Sequence, residues 1–167
     1  MAAPLPVPLA TWADAPGPGP FYISASAVAF DGRGVMICGT PGSGKSTLAL
    51  ELMALGAELI ADDAVLIDLE TAPGTVPFLQ RPDTATDLIE SRGIGLLRAG
   101  PVCGRAPLSV VVDLDRAEPD RLPPRRNVTT GTTERPLILG AGHPSLALSV
   151  VWMLRHGRDV PAGDPAS

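Results

Sequence analysis

Residues 39–47 read GTPGSGKST, and they constrain the fold more than any other segment. The spacing of Gly, four residues, Gly-Lys and then Ser or Thr lets backbone N–H groups converge on an anion at a helix start. Such a loop needs a strand before it and a helix after it. Residues 33–38 predict the strand, and residues 45–55 predict the helix because their leucines fall on one helical face. The segment therefore predicts a nucleotide-phosphate site in an α/β fold.

Two side chains in this loop carry the expected chemistry. Lys45 is expected to reach the β- and γ-phosphates, and the Ser46 hydroxyl can ligate magnesium. Lys45 is the one lysine among 13 basic residues, and its compact ammonium fits deep against phosphates better than a planar guanidinium. The alternative is a plain turn in a chain with 18 glycines, but the strand–loop–helix setting favours the nucleotide. The predicted phosphate-binding residues are Gly39, Thr40, Pro41, Gly42, Ser43, Gly44, Lys45, Ser46 and Thr47.

Composition excludes several other classes of protein. A chain of 167 residues with a net charge of −5 has one domain's worth of sequence and no basic stretch that could neutralise a nucleic-acid backbone. No run of apolar residues is long enough to predict a membrane span. The two cysteines, Cys38 and Cys103, stand far apart, which argues against a disulfide scaffold or a thiolate zinc site. We expect a cytoplasmic protein that binds neither nucleic acid nor membrane.

Proline and glycine divide the chain into three parts. They are dense in residues 1–20, which predicts a flexible arm, and in residues 158–167, which predicts a flexible tail. The domain between them is expected to cover residues 21–157. Within it we predict a hairpin at Asp31-Gly32, strands at 59–61, 64–69 and 108–114, a closing helix from residue 146, and long connections over 71–88 and 115–142.

Several acidic residues are candidates for the carboxylate that acts near the magnesium ion. One candidate is Asp113, at the end of the strand LSVVVD, and the other is the pair Asp62-Asp63 after the loop helix. Neighbouring strand residues point to opposite faces, so one member of the pair is expected to face the phosphates. The pair could instead be a solvated turn between strands, and Asp113 could be a polar strand end. A further candidate, Glu90 in LIESRGIGLL, would otherwise be part of a surface ion pair.

Together these motifs resemble a known family. GTPGSGKSTLALELMALGAELIADD followed by IESRGIG is similar to the catalytic domain of HPr kinase/phosphorylase over residues 25–97. That family phosphorylates a serine of HPr, the small phosphocarrier of the sugar and nitrogen phosphotransferase systems. The resemblance implies an α/β phosphate-loop kinase domain with a mixed, phosphoenolpyruvate-carboxykinase-like sheet. It further implies ATP and magnesium as cofactors, HPr as protein substrate, and a homo-oligomer, a hexamer in the family.

The resemblance also assigns roles to residues. It implies that Lys45 contacts the phosphates, that Ser46 and Glu90 hold magnesium, and that Asp63 or its neighbour Asp62 is the base that accepts the serine proton. Arg92 belongs to the same motif and would orient the site or the protein substrate. Arg121 resembles the downstream catalytic arginine of the family, although the spacing is shorter here. The implied catalytic residues are thus Asp63, Asp62, Lys45, Arg92 and Arg121.

Departures from the family pattern leave other functions open. Ser24 stands where the family usually carries a histidine, and the carboxyl-terminal segment associated with phosphorylase activity is not recognisable. The kinase direction is therefore favoured over reverse phosphorolysis. One alternative is a kinase of another acceptor, such as a lasso-peptide precursor or a small molecule. Another is an ATP-binding regulatory module with little transferase activity.

Overall fold

The computed structural model of the chain describes residues 4–15, 17, 19–69 and 74–160. Within these ranges the helices are α1 (Lys45–Ala54), α2 (Leu146–His156) and a 3-10 helix over Leu9–Trp12. Neither α-helix has the length and apolar character needed to cross a bilayer. The strands are β1 (Val7–Pro8), β2 (Phe21–Ile23), β3 (Ser26–Phe30), β4 (Arg33–Cys38), β5 (Glu58–Ala61), β6 (Val65–Asp68), β7 (Phe78–Gln80), β8 (Leu88–Ser91), β9 (Gly95–Arg98), β10 (Arg105–Asp113), β11 (Asn127–Thr130) and β12 (Thr133–Leu139).

The strands form a mixed sheet, as the sequence predicts. The order along its main path is β1-β11-β12-β10-β4-β3-β5. β10 runs parallel to β4 and β12, whereas β3 is antiparallel to β4 and β5. β2, β6 and β7 branch from this path, because β7 pairs with the start of β10. β8 and β9 form a separate hairpin.

Side-chain alternation places the core on both faces of the sheet. Along β4, Val35 and Ile37 pack with the two α-helices, whereas Met36 and Cys38 pack with β5, β6 and β7 on the other face. Both faces of β4 are therefore dry, which explains its continuous apolar sequence. β4 and β10 end in register, with Cys38 beside Asp113. The loop that follows β4 consequently begins at the carboxyl edge of the parallel strands.

Helix α1 begins and ends where the sequence predicts. Gly44 precedes it with a φ of 102°, a left-handed conformation that a residue with a Cβ rarely adopts. Leu48 and Leu52 are buried on its inner face, against strands β3 and β4. Gly56, just past its end, again has positive φ at 110°. The helix thus fixes the loop to the core through its leucine face.

Two predicted connections contain strands, so those predictions are wrong. β7 lies within residues 71–88, and β11 and β12 lie within residues 115–142. Their threonine, proline and polar content conceals the pattern, because these strands are short or only half-buried. The sequence LIESRGIGLL likewise contains the hairpin β8–β9, whose strands were not among the predicted elements.

The amino-terminal arm also differs from expectation. Val7 and Pro8 pair in parallel with β11, and Leu9 is only 3% exposed within the core. Proline does not prevent this pairing, because a strand at the sheet's outer edge leaves half of its N–H groups unneeded. Residues 7–13 are therefore packed on the domain, not a mobile extension. The predicted flexible tail falls mostly on residues 161–167, outside the described residues.

Candidate active site

A cavity of about 520 Å³ opens at the carboxyl edge of β4. It brings together the phosphate loop, which we define as residues 39–47, with Ser24 after β2, an acidic residue after β5 and two residues of the β8–β9 hairpin. Four segments that are distant in sequence thus converge on one polar space. The described residues that line it are Ser24, Pro41, Gly42, Gly44, Lys45, Ser46, Thr47, Asp63, Glu90 and Arg92.

The phosphate loop has the features of an anion site. The amides of the first turn of α1 lack carbonyl partners within the helix, and they sit at its positive end. Lys45 Nζ donates hydrogen bonds to the carbonyl oxygens of Gly39 and Thr40, at 2.8 and 3.1 Å. The buried Ser43 Oγ has no hydrogen-bond partner among the described residues. A buried, unpaired hydroxyl beside free amides fits a site completed by phosphate oxygens.

A carboxylate from the neighbouring strand holds the start of the loop. Asp115, which follows β10, accepts hydrogen bonds from the backbone N–H and the hydroxyl of Thr40, at 2.9 to 3.0 Å. The backbone bond, followed by the hydroxyl bond, lowers the pKa of Asp115 below its ordinary value of 3.8. Gly39 must be glycine, because a Cβ there would overlap the Ser43 hydroxyl. On this strand the sequence indicated Asp113 as a candidate, whereas Asp115, two residues further on, was missed.

Asp62 and Asp63 take different positions. Asp62 accepts hydrogen bonds from Ser26 Oγ at 2.6 Å and from Ser46 Oγ at 2.9 and 3.0 Å. Asp63 lines the cavity and has a φ of 74°, an uncommon conformation for a residue other than glycine. The expected alternation along a strand does not apply, because β5 ends at Ala61. The turn instead sets Asp62 beneath the Ser46 hydroxyl and Asp63 at the surface of the cavity.

The β8–β9 hairpin supplies the other charged side chains. Ile89 is buried against the helices, so its neighbour Glu90 points to the opposite face of β8. Glu90 and Arg92 both line the cavity, together with residues of the phosphate loop. The position of Gly93 at the turn, with a φ of 83°, allows the chain to reverse directly after Arg92. The IESRG motif thus delivers one carboxylate and one guanidinium to the same space as Lys45.

The oxygen donors around Ser46 fit magnesium. Ser46, Asp62 and Glu90 offer a hydroxyl and carboxylates, the hard ligands that magnesium prefers. Among the described residues no group of three or more His, Cys, Asp or Glu side chains is placed to hold a metal ion by itself. Magnesium commonly uses one or two protein oxygens and completes its shell with phosphates and water. Ser46 and Glu90 would hold the ion, and Asp62 would orient the Ser46 hydroxyl.

Two other candidates lie away from this cavity. Asp113 is 5% exposed at its side chain and pairs with Arg116 Nε at 2.6 Å, while its other oxygen accepts the N–H of Asp115. It therefore organises the turn after β10. Arg121 is exposed in the segment between β10 and β11, and it is not among the described residues that line the cavity. Cys38, at the end of β4, has its pKa raised, chiefly by burial and further by Asp113.

One pair of residues at the cavity went unnoticed in the sequence. Ser24 lines the cavity, and its hydroxyl donates to Asp14 Oδ1 and Oδ2 at 3.2 and 3.3 Å. The resemblance marked Ser24 only as a departure from the family. Asp14 carried no signal, because it lies in a proline-rich stretch that sequence reasoning assigned to a flexible arm.

Known proteins match the chain over most of its length. The family model described as HPr Serine kinase C-terminal domain matches residues 21–134. The HPr kinase/phosphorylase of Azoarcus sp. is 38% identical over 125 residues, covering 71% of this chain and 39% of that protein. Its counterpart in Brevibacillus brevis is 34% identical over 131 residues, covering 72% of this chain and 42% of that protein. The chain therefore spans about two fifths of the length of these curated relatives.

A solved structure has the same fold. The HPr(Ser) kinase/phosphatase from Coxiella burnetii aligns with a TM-score of 0.64 and 23% sequence identity. The alignment covers 80% of this chain and 88% of that one. The expected α/β fold with a mixed sheet around a phosphate loop is confirmed. With the family model matching more than half of its residues, the chain belongs to the family of HPr serine kinase C-terminal domains.

Proposed function

We propose that this chain is an ATP- and magnesium-dependent protein-serine kinase that phosphorylates an HPr-type phosphocarrier. The observation that carries the proposal is the single cavity in which the phosphate loop faces Asp63, Glu90 and Arg92. A reaction of this kind requires bound phosphates, neutralised charge and an oriented hydroxyl. The cavity offers groups suited to each of these requirements.

The loop binds the nucleotide phosphates. First-turn amides of α1 and the Lys45 ammonium receive the β- and γ-phosphate oxygens, and Lys45 exchanges its bonds to Gly39 and Thr40 for bonds to phosphate. Asp115 keeps the start of the loop attached to β10 during this exchange. Ser46 and Glu90 would hold magnesium, which would supply positive charge next to the transferred phosphoryl group.

Asp63 is the base in this mechanism. It faces the cavity, whereas both oxygens of Asp62 are occupied with the Ser46 hydroxyl and one of them also accepts from Ser26. Asp63 accepts the proton of the acceptor serine as its oxygen attacks the γ-phosphorus. Arg92 lines the same cavity and stabilises the negative charge that spreads over the phosphoryl oxygens.

The surroundings of the cavity favour a protein acceptor. Ile94 and Leu96, on the hairpin that carries Glu90 and Arg92, are 76% and 67% exposed. Exposed apolar side chains beside a polar cavity are typical of a surface that docks another protein. Neither residue would be needed for a small-molecule acceptor.

Both cysteines are free thiols, which fits action in the cytoplasm on phosphotransferase-system or carbon and nitrogen signalling.

The test is transfer of phosphate from ATP to HPr. The chain, ATP, magnesium and HPr are incubated, and the modified residue is found by mass spectrometry; we expect phosphoserine on HPr. Asp63→Asn should lower the rate by about 10²–10⁴-fold, as expected for the loss of a general base. Asp83→Asn, an exposed aspartate outside the cavity, is the matched control and should keep the full rate.

The same experiment separates the competing functions. If ATP binds and HPr stays unmodified, HPr is not the acceptor, and candidate peptides and small molecules are tried in its place. If ATP binds and no acceptor is modified, the chain is a nucleotide-binding module and the kinase assignment is wrong. Light scattering of the same sample measures the oligomeric state, for which we propose the family's homo-oligomer.

A further inference from the structure

Ser24 is a hydroxyl that lies inside the phosphate cavity without a structural role there. It follows β2 directly, is exposed to solvent, and lines the same space as Lys45, Ser46 and Asp63. Its neighbours in the sequence, Ile23 and Ala25, are fully buried and fix the backbone on either side. The hydroxyl is thus presented to the cavity on rigid backbone, where the phosphate loop holds the nucleotide.

The carboxylate of Asp14, which is separate from Asp62 and Asp63, lies next to the Ser24 hydroxyl. Asp14 accepts the Ser24 hydroxyl at 3.2 and 3.3 Å. The backbone N–H of Asp14 donates to the carbonyl of Tyr22 at 3.2 Å, and Ala13 forms an antiparallel bridge with Ile23. Upstream, the arm is anchored by the buried Leu9. Asp14 is consequently held beside Ser24 by backbone pairing and does not depend on a chance rotamer of a loose arm.

The other serine hydroxyls near the cavity either donate to Asp62 or, in the case of the unpaired Ser43, are buried. Ser46 and Ser26 both donate to Asp62, and Ser26 is fully buried. Ser46 belongs to the phosphate loop, and its oxygen is needed for magnesium. Ser24 differs from both, because it is exposed within the cavity and its proton already points to a separate carboxylate. A hydroxyl with an adjacent base is an activated nucleophile.

We propose that Ser24 is a phosphoacceptor within the chain: the domain transfers the γ-phosphoryl group of its bound ATP to Ser24, and Asp14 takes the proton. This inference rests on the proposed function, because the phosphate loop must hold the ATP. Ser24 Oγ forms a bond to the γ-phosphorus, and the bond from that phosphorus to the β–γ bridging oxygen breaks. ADP leaves with the bonding electron pair, and the hydroxyl proton moves to the Asp14 carboxylate.

The product would alter the cavity. Phosphoserine adds a charge of about −1.5 to −2 beside Asp14, Asp63 and Glu90, in the space that receives the γ-phosphate. Like charges at this range weaken the binding of a second ATP. Modification of Ser24 therefore limits further turnover, and the chain regulates its own activity when no protein acceptor is present.

The experiment follows the mass of the intact chain. The chain is treated with phosphatase, incubated with ATP and magnesium without HPr, and analysed by intact and tandem mass spectrometry. We expect one addition of about 80 Da, located on Ser24. Its first-order rate constant should not change with protein concentration, because donor and acceptor share one cavity. Lys45→Ala should abolish the addition, and Asp14→Asn should slow it by about 10²-fold, whereas Asp83→Asn serves as control.

A binding measurement gives a second readout that needs no turnover. Calorimetry compares ATP affinity in Ser24→Glu and Ser24→Gln, which have the same shape and differ in charge. We expect Ser24→Glu to bind ATP about tenfold more weakly. Equal affinities would overturn the regulatory consequence.

Several results would overturn the acceptor role itself. They are an unmodified chain, a phosphate mapped to another residue, a rate that rises with protein concentration, or modification that persists in Lys45→Ala. Phosphorylation of HPr is measured in parallel to separate the two proposals. If HPr is phosphorylated and Ser24 is not, only the Ser24 proposal fails; if Ser24 is phosphorylated and HPr is not, only the HPr acceptor is wrong. If ATP does not bind, both fail.

Discussion

Two aspartates at the cavity accept hydrogen bonds from serine hydroxyls, and they differ mainly in depth. Asp62 is partly buried between β5 and the phosphate loop, and its bonds to Ser26 and Ser46 measure 2.6 to 3.0 Å. Asp14 is exposed on the arm, and its bonds to Ser24 measure 3.2 and 3.3 Å. The same chemical pair therefore occurs once under the loop, partly buried, and once in an exposed position on the arm.

The burial of each serine–aspartate pair determines what that pair can do. Water cannot easily replace a lost partner of the buried Ser26 hydroxyl, so Asp62 holds its neighbours in fixed positions. At the exposed pair, water competes with Asp14, so the bond to Ser24 contributes little to stability and can break during a reaction. The deep pair is suited to positioning Ser46, which we propose as a magnesium ligand, and the shallow pair is suited to the chemistry that we propose at Ser24.

The largest expected effect is on stability, and it tests whether the amino-terminal arm is part of the core. The shallow pair requires this, because the arm carries Asp14. Leu9→Ala removes a side chain that is 3% exposed, and we expect the free energy of unfolding to fall by about 2–5 kcal/mol. Leu5→Ala, at a residue that is 88% exposed, is the matched control and should have no measurable effect. Denaturant titration followed by circular dichroism measures both. Equal stabilities would mean that the arm is not anchored, and Asp14 would lose its fixed position.

The next effect compares the two aspartates directly. Asp62→Ala leaves the buried Ser26 hydroxyl without its acceptor, and we expect a loss of about 1–3 kcal/mol in unfolding free energy. Asp14→Ala removes an exposed partner and should cost less than about 1 kcal/mol. The same denaturant titration applies to both variants. A larger loss for Asp14→Ala would reverse the assignment of the deep and shallow pairs.

The same contrast explains what the sequence could reveal. The hairpin turn at Asp31-Gly32, the phosphate loop and helix α1 were predicted because each depends on local rules: turn residues, glycine spacing and a leucine face. The motifs also indicated that Lys45, Asp63 and Glu90 act together, and the structure brings them to one cavity. Their proximity arises from the β8–β9 hairpin packing on α1 through Ile89, a contact that no local pattern encodes.

Tertiary pairing decided the remaining elements. β1 forms because β11 offers an edge to Val7 and Pro8, whereas the local proline content argues against any strand. β11 and β12 contain NVTT and TERPLIL. Their polar residues are tolerated because alternate positions are buried in β11 and only Leu137 is buried in β12. Asp14 and Asp115 were missed for this reason: each reaches the site through strand pairing between distant segments.

The smallest effect concerns Asp115, which is exposed like Asp14 but bound to backbone. Its folded-state pKa is lowered from 3.8, first by the Thr40 N–H and then by the Thr40 hydroxyl. A lowered pKa means that the folded state prefers the carboxylate, so the stabilisation is complete above the unfolded pKa and disappears as pH falls through the folded pKa.

We therefore expect wild type to be more stable than Asp115→Asn at pH 6, with a difference that is constant down to about pH 5 and shrinks below it. Denaturant titrations at pH 6, 5, 4 and 3 measure the difference, and Asp83→Asn, which lacks such a contact, should show no such trend. A difference that grew on acidification would mean that the folded state prefers protonated Asp115, and the loop would then not be held by charge-assisted bonds. If the predicted trend is found, the exposed position of a carboxylate does not by itself make its contact weak, and the shallow character of the Asp14 pair comes from its partner, a hydroxyl that water can replace.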